Sequence, residues 1–225
     1  MKAKHYVITH DMMIALVGAT NGKPGVVTNA GTGSFAFGRN AAGKIARVGG
    51  WGFAFGDEGG AFDLTRQALR ACLRYEEGWG EKTALLDAML AATGAEDAND
   101  LLHRFYTDDF PRPRVASYSK VVDQVAQSGD AVARAILLSA AQQLATITTA
   151  ARAQIFASDE PARVSYMGAV FRSAILFERF RTLVELGAPN EVAAPIHGPA
   201  AGALLEAYRS AGLAPELKNL PPEKE

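Results

Sequence analysis

Ten of the chain's 22 glycines fall between Val26 and Gly60, in about a sixth of its 225 residues. Glycine loses more backbone freedom on folding than any other residue. A cluster this dense therefore marks positive φ angles or a backbone brought close to something else. Between the glycines lie three short apolar runs with strand character: Val26-Val27-Thr28, Phe35-Ala36-Phe37 and Ile45-Ala46-Arg47-Val48. Asn40-Ala41-Ala42-Gly43 joins the second run to the third as a hairpin connection with Gly at the bend. The stretch reads as a β-meander. Two glycine clusters in it are either plain tight turns or ligand-facing loops. Ala30-Gly31-Thr32-Gly33-Ser34 can aim consecutive backbone N–H groups at one anion, with the Thr32 and Ser34 hydroxyls as further donors, which suits a phosphate. Gly56-Asp57-Glu58-Gly59-Gly60 opens a helical pattern, and negative charge is favoured near a helix N-terminus.

Beyond Gly60 the apolar spacing turns helical. Helices are expected from Ala61 to about Gly78, around Leu85–Leu90, around Leu101–Tyr106, and from about Val115 to Gln127. Asp130 can cap a long helix reaching about Phe156. Arg163-Val164-Ser165-Tyr166-Met167 reads as a buried strand, ended by Gly168 and followed by a helix with Gly187 as C-cap. Strand, Gly turn and helix is the usual setting for a nucleotide at the carboxyl end of a parallel strand, and equally an ordinary βα connection. Glu191–Ala194 is a last short strand, and small residues from Gly198 to Ala203 lead into a final helix. Near the start, Tyr6–Thr9 reads as a strand and Met12–Val17 as a helical turn or two before Gly18, which Asp11 would cap.

Charge is nearly balanced, 23 basic against 24 acidic residues, so no basic excess invites nucleic acid or an anionic membrane surface. A single cysteine, Cys72, excludes an internal disulfide framework and a single-chain thiolate cluster. Uninterrupted apolar runs are far shorter than a bilayer span, and a cytoplasmic location is expected. His5, His10, His103 and His197 are scattered without metal-ligand spacing, and Asp108-Asp109 reads as a solvated loop.

Asn29-Ala30-Gly31-Thr32-Gly33-Ser34, Gly49-Gly50-Trp51-Gly52 and Gly56-Asp57-Glu58-Gly59, in that order and spacing, resemble the N-acetylglucosamine kinases of the BadF/BadG/BcrA/BcrD-type ATPase family, within the actin, hexokinase and Hsp70 superfamily. The resemblance implies an α/β fold. It would be a ribonuclease H-like, actin/hexokinase-type ATPase lobe, a β-meander plus parallel strands packed with helices. It implies ATP-dependent phosphorylation of an amino sugar, with Mg²⁺ arriving on the nucleotide. By resemblance, Gly31, Thr32, Gly33 and Ser34 hold phosphates, and Gly50, Trp51 and Asp57 contact the sugar. Gly168, Ala169 and Gly198 border the adenosine, and Asp11, at a strand end before the meander, is the catalytic base rather than a cap.

These kinases begin with a lobe carrying an Asp-Gly-Gly phosphate motif. The resemblance therefore divides the chain into a remnant of that lobe (1–20), the second lobe (21–212) and a flexible tail (213–225). The expectation is a sugar kinase that is truncated or completed by another chain, self-associating or dimeric through the exposed interface. Two alternatives stand beside it: a non-catalytic nucleotide- or sugar-binding module, and an ATPase that activates a radical enzyme through an iron–sulfur cluster. The second needs cysteines that a lone Cys72 does not supply.

Overall fold

The computed structural model describes residues 8–107, 110–213 and 215–217. Its centre is a five-stranded sheet in the order β3-β2-β1-β4-β5. β1 (Gly25–Ala30), β2 (Ser34–Arg39) and β3 (Ile45–Gly49) form the antiparallel meander that the glycine-punctuated apolar runs demand. β4 (Ala162–Met167) joins the open side of β1 in parallel, and β5 (Asn190–Val192) extends it. β1 is thus central, which explains why Val26 and Val27 are both fully buried although they point to opposite faces.

One face of the sheet is covered by α7 (Ala131–Ala153), which lies across β1, β2 and β3, and by α8 (Ala174–Gly187) beside it. Asp130 caps α7 by accepting the Ala133 N–H at 2.8 Å, and also takes the Ala84 N–H and the Thr83 hydroxyl. One carboxylate therefore starts α7 and pins the segment leading into α3 (Leu85–Thr93). By length and composition α7 could cross a bilayer. Here its apolar residues Leu137, Ala140, Ala141 and Leu144 are instead buried in the main core. Outside this layer stand α2 (Ala61–Glu76), α3, α4 (Ala98–Arg104), α5 (Arg112–Ser117) and α6 (Ser119–Gln127). The helix expected from Val115 to Gln127 is two helices broken at Tyr118. Pro113 does not interrupt a helix but sits in the first turn of α5, where a missing N–H costs nothing.

The other face carries α1 (Asp11–Thr20) and α9 (Pro199–Ser210). Gly18 does not stop α1. The helix runs on to Asn21, which ends it in the left-handed region at φ 52°, and the Gly22 N–H caps the Val17 carbonyl at 2.8 Å. Gly18 is small because α9 crosses there: a Cβ at Gly18 would run into the Gly198 carbonyl, and one at Gly202 into the Ile14 carbonyl. Arg39 closes the same corner, pairing with Glu206 at 3.6 Å and donating to the Gly22 carbonyl. Burial, with the Arg209 cation adding to it, pulls the Arg39 guanidinium below its usual value.

The strand expected over Tyr6–Thr9 has Tyr6 and Val7 outside the described residues. Ile8 and Thr9 are irregular, with Ile8 98% exposed. Both sides of β1 are already taken by β2 and β4, so no free edge beside it could pair them. Gly187 belongs to α8 and Ala188 is its C-cap; the last strand ends at Val192. Asp108-Asp109 and most of the expected tail lie outside the described residues.

Candidate functional site

The three glycine motifs are joined to one another by hydrogen bonds. The register of β1 and β2 pairs Ala30 with Ser34, leaving Gly31-Thr32-Gly33 as the turn, closed by the Gly31 N–H on the Gly33 carbonyl at 3.0 Å. The first N–H groups of α2 grip its outward carbonyls, Ala61 to Gly31 at 2.8 Å and Phe62 to Thr32 at 3.1 Å. Gly50 N–H donates to the Ser34 carbonyl at 2.9 Å, and the Ser34 hydroxyl to the Glu58 carbonyl at 2.6 Å. With its carbonyls engaged, the turn keeps its donors: among the described residues the Thr32 and Gly33 N–H groups meet no protein acceptor. Two neighbouring free N–H groups on a turn are the kind of donor pair that an anion can use. Ser34 adds no hydroxyl to it, because that hydroxyl is buried and spent on Glu58.

Asp57 is held at φ 62° with its side chain buried. Its carboxylate packs against Gly33 so closely that a Cβ there would overlap it, and Arg112 approaches it at 3.5 Å. Arg112 also covers the Phe53 ring at 4.6 Å. Trp51 is 74% exposed on the loop between β3 and α2, under the Arg47 guanidinium, which donates to the Gly50 carbonyl at 2.6 Å. Gly50, Trp51 and Asp57 thus flank the turn.

On the other side of the turn opens a cavity of about 710 Å³. Gly31 and Thr32 form one wall, Ala169, Arg172 and Ser173 another, and the polar side of α6 a third. Gly168 is the reason these walls meet. At φ 100° it lets β4 leave the sheet against β1, where a Cβ would collide with the Ala30 carbonyl and the Gly31 nitrogen. The α6 wall was hidden in the sequence: read by its valines, the helix shows only a core face. Its other side places Lys120, Asp123 and Gln124 on the cavity. Asp123 accepts from Gln127 at 2.6 Å through one oxygen, while the other is buried with no partner among the described residues. Spacing of i, i+3 and i+4 on one face was the available signal.

Two expected site residues lie elsewhere. Gly198 sits at the α1–α9 crossing. Asp11 is the exposed first residue of α1, accepting the Met12 N–H at 2.8 Å, while His10 is the N-cap and accepts the Met13 N–H. Asp11 does not line the cavity, but the direction of α1 is fixed: His10 packs on Phe37 and Met13 meets Arg39, so the helix begins nearer the Ser34 end of β2 than it continues.

Known proteins share sequence and fold with this chain. A Clostridium acetobutylicum protein named N-acetylmuramic acid/N-acetylglucosamine kinase is 31% identical over 185 residues, covering 82% of this chain and 60% of the relative. A Dictyostelium discoideum N-acetyl-D-glucosamine kinase is 33% identical over 142 residues, 62% of this chain and 44% of the relative. The chain thus spans 44–60% of the length of these relatives. A solved Chromobacterium violaceum structure, provisionally named N-acetylglucosamine kinase, superposes with a TM-score of 0.74 at 26% identity, over 87% of this chain and 63% of that one. A ROK family glucokinase from Streptomyces griseus, solved with glucose and AMPPNP, shares the fold at a TM-score of 0.50 and 16% identity, over 88% of this chain and 65% of that one. The actin/hexokinase-type fold implied by the three motifs is the fold observed. Residues 1–207 match one family description throughout, and on that match the chain belongs to the BadF/BadG/BcrA/BcrD ATPase family.

Proposed function

We propose that this chain forms the nucleotide side of an ATP-dependent amino-sugar kinase acting on N-acetylglucosamine or a close relative. The carrying observation is the turn at Gly31–Gly33, with two free N–H groups beside a cavity that reaches Ala169. The β- and γ-phosphates would rest on Thr32 and Gly33, with the adenosine along Gly168 and Ala169 and the α6 wall. The unpartnered Asp123 oxygen suits a donor from the nucleoside, and Lys120 suits its phosphates. Among the described residues no three acidic or soft ligands gather at one point. Mg²⁺ would arrive with the nucleotide, where it offsets phosphate charge. Asp11 would take the proton from the attacking sugar hydroxyl. The names of the relatives favour the kinase branch of the family over the radical-enzyme activators. So does Cys72, whose thiol burial pushes up to about 12.

Calorimetric titration with ATP and ADP tests the nucleotide assignment. Gly33→Val should lower nucleotide affinity by about tenfold or more, since its side chain would collide with the Asp57 carboxylate and force the turn out of shape. Unaltered affinity would make the turn merely structural. The sugar assignment predicts that Asp57→Ala raises the sugar KM far more than the ATP KM. The reverse pattern would move Asp57 to the phosphate side.

A further inference from the structure

A second groove, of about 740 Å³, runs between α2 and α7 and shares no lining residue with the cavity at the phosphate turn. Arg66, Arg70 and Arg74 follow one another along it, about 6 Å apart in axial rise. Their partners differ. Arg66 is spent on Asp63 at 2.6 Å and on the Phe53 carbonyl at 3.1 Å. Among the described residues the Arg74 guanidinium has only the face of Trp79, at 4.9 Å, and the exposed Arg70 has no acceptor. The acids of the groove sit at its ends, Glu58 and Asp63 at one and Glu81 at the other, and Asp63 is already engaged by Arg66, Gln67 and the Gly59 N–H. The middle is therefore cationic, though the rim is not.

We propose that this groove is a second ligand site, for a small sugar phosphate. Two guanidinium groups one turn apart can share the terminal oxygens of one phosphate, which Arg grips in paired hydrogen bonds. The groove is far larger than a phosphate needs. Its remaining surface includes the exposed indole of Trp79, with one face under Arg74, its N–H given to Glu77 at 2.6 Å and its other face open, and Ser139 and Gln143 of α7, which both donate and accept. That combination matches the C–H face and hydroxyls of a sugar ring. The sugar part of this assignment rests on the amino-sugar kinase reading; the anion site does not. The groove is also wired to the motif loop, since Arg66 holds the Phe53 carbonyl and Asp63 holds the Gly59 N–H. Occupancy there would reach the segment carrying Asp57.

The test is calorimetry with N-acetylglucosamine 6-phosphate, against inorganic phosphate, AMP and unphosphorylated N-acetylglucosamine, on the wild-type chain, Arg70→Gln, Arg74→Gln and Gly33→Val. The expected result is binding of the sugar phosphate that persists in Gly33→Val and in saturating ATP, and falls about tenfold or more in each arginine variant. ATP affinity should be unchanged in both. Arg70 and Arg74 are exposed helix positions, so circular dichroism of the variants should match the wild type. Absence of binding, or binding indifferent to both arginines, would overturn the site. Loss of binding in Gly33→Val would place the sugar phosphate in the catalytic cleft instead. Inorganic phosphate or AMP binding as tightly would overturn the ligand class. Failure of ATP to bind the wild type would count against the kinase reading alone.

Discussion

Asp11→Asn is expected to lower sugar-dependent ADP release by about 10²–10⁴-fold relative to wild type under the same conditions, with ATP affinity little changed. The structure makes this substitution clean. His10, not Asp11, is the N-cap of α1, accepting the Met13 N–H at 3.2 Å. An Asn at position 11 keeps the size and an oxygen for the Met12 N–H, so the helix start survives while the proposed base is removed. Asp11 is exposed among the described residues. Turnover and nucleotide titration must be read together. A variant that turns over like wild type removes Asp11 from the chemistry. One that loses ATP affinity in proportion to turnover assigns it to the nucleotide.

What could be read ahead of the structure followed from how local each signal is. Gly43 at a hairpin bend and Asp130 before an apolar periodic run are decided by a few neighbouring residues, and both stand where expected. Gly18 misled because its reason is not local: it is small for the sake of α9, whose N-cap Gly198 lies 180 residues further along the chain. Ser34 sits in a motif that offers a hydroxyl, but the Glu58 carbonyl, brought close only by the fold, claims it first. The polar faces of α2 and α6 read as solvated helix surface. A helix wheel carries no record of what stands opposite, and Lys120 and Arg70 gain meaning only from the cavity walls they join.

The α1–α9 crossing can be tested by a pair of glycine substitutions that helix propensity alone would treat alike. Alanine favours a helix over glycine by up to about 1 kcal/mol, so Gly202→Ala in α9 and Gly187→Ala in α8 should both stabilise if only the local chain mattered. At Gly187 a methyl meets only the Thr149 Cγ2 at 3.9 Å, ordinary contact, and a neutral or slightly stabilising effect is expected. At Gly202 the methyl would lie on the Ile14 carbonyl and within 2.6 Å of the Gly18 nitrogen. Both are backbone atoms, so α9 must lift away from α1. Lifting it strips cover from Leu205 and pulls Glu206 from Arg39. Overpacking of this kind costs about 1–3 kcal/mol, occasionally more, a fall in Tm of several degrees for a chain this long. Because α1 begins at Asp11, the same displacement should reduce turnover at temperatures where Gly202→Ala is still folded. Equal melting temperatures for the two variants would mean that the helices do not cross where they are placed here. A destabilised Gly202→Ala with full activity would separate the crossing from the position of Asp11.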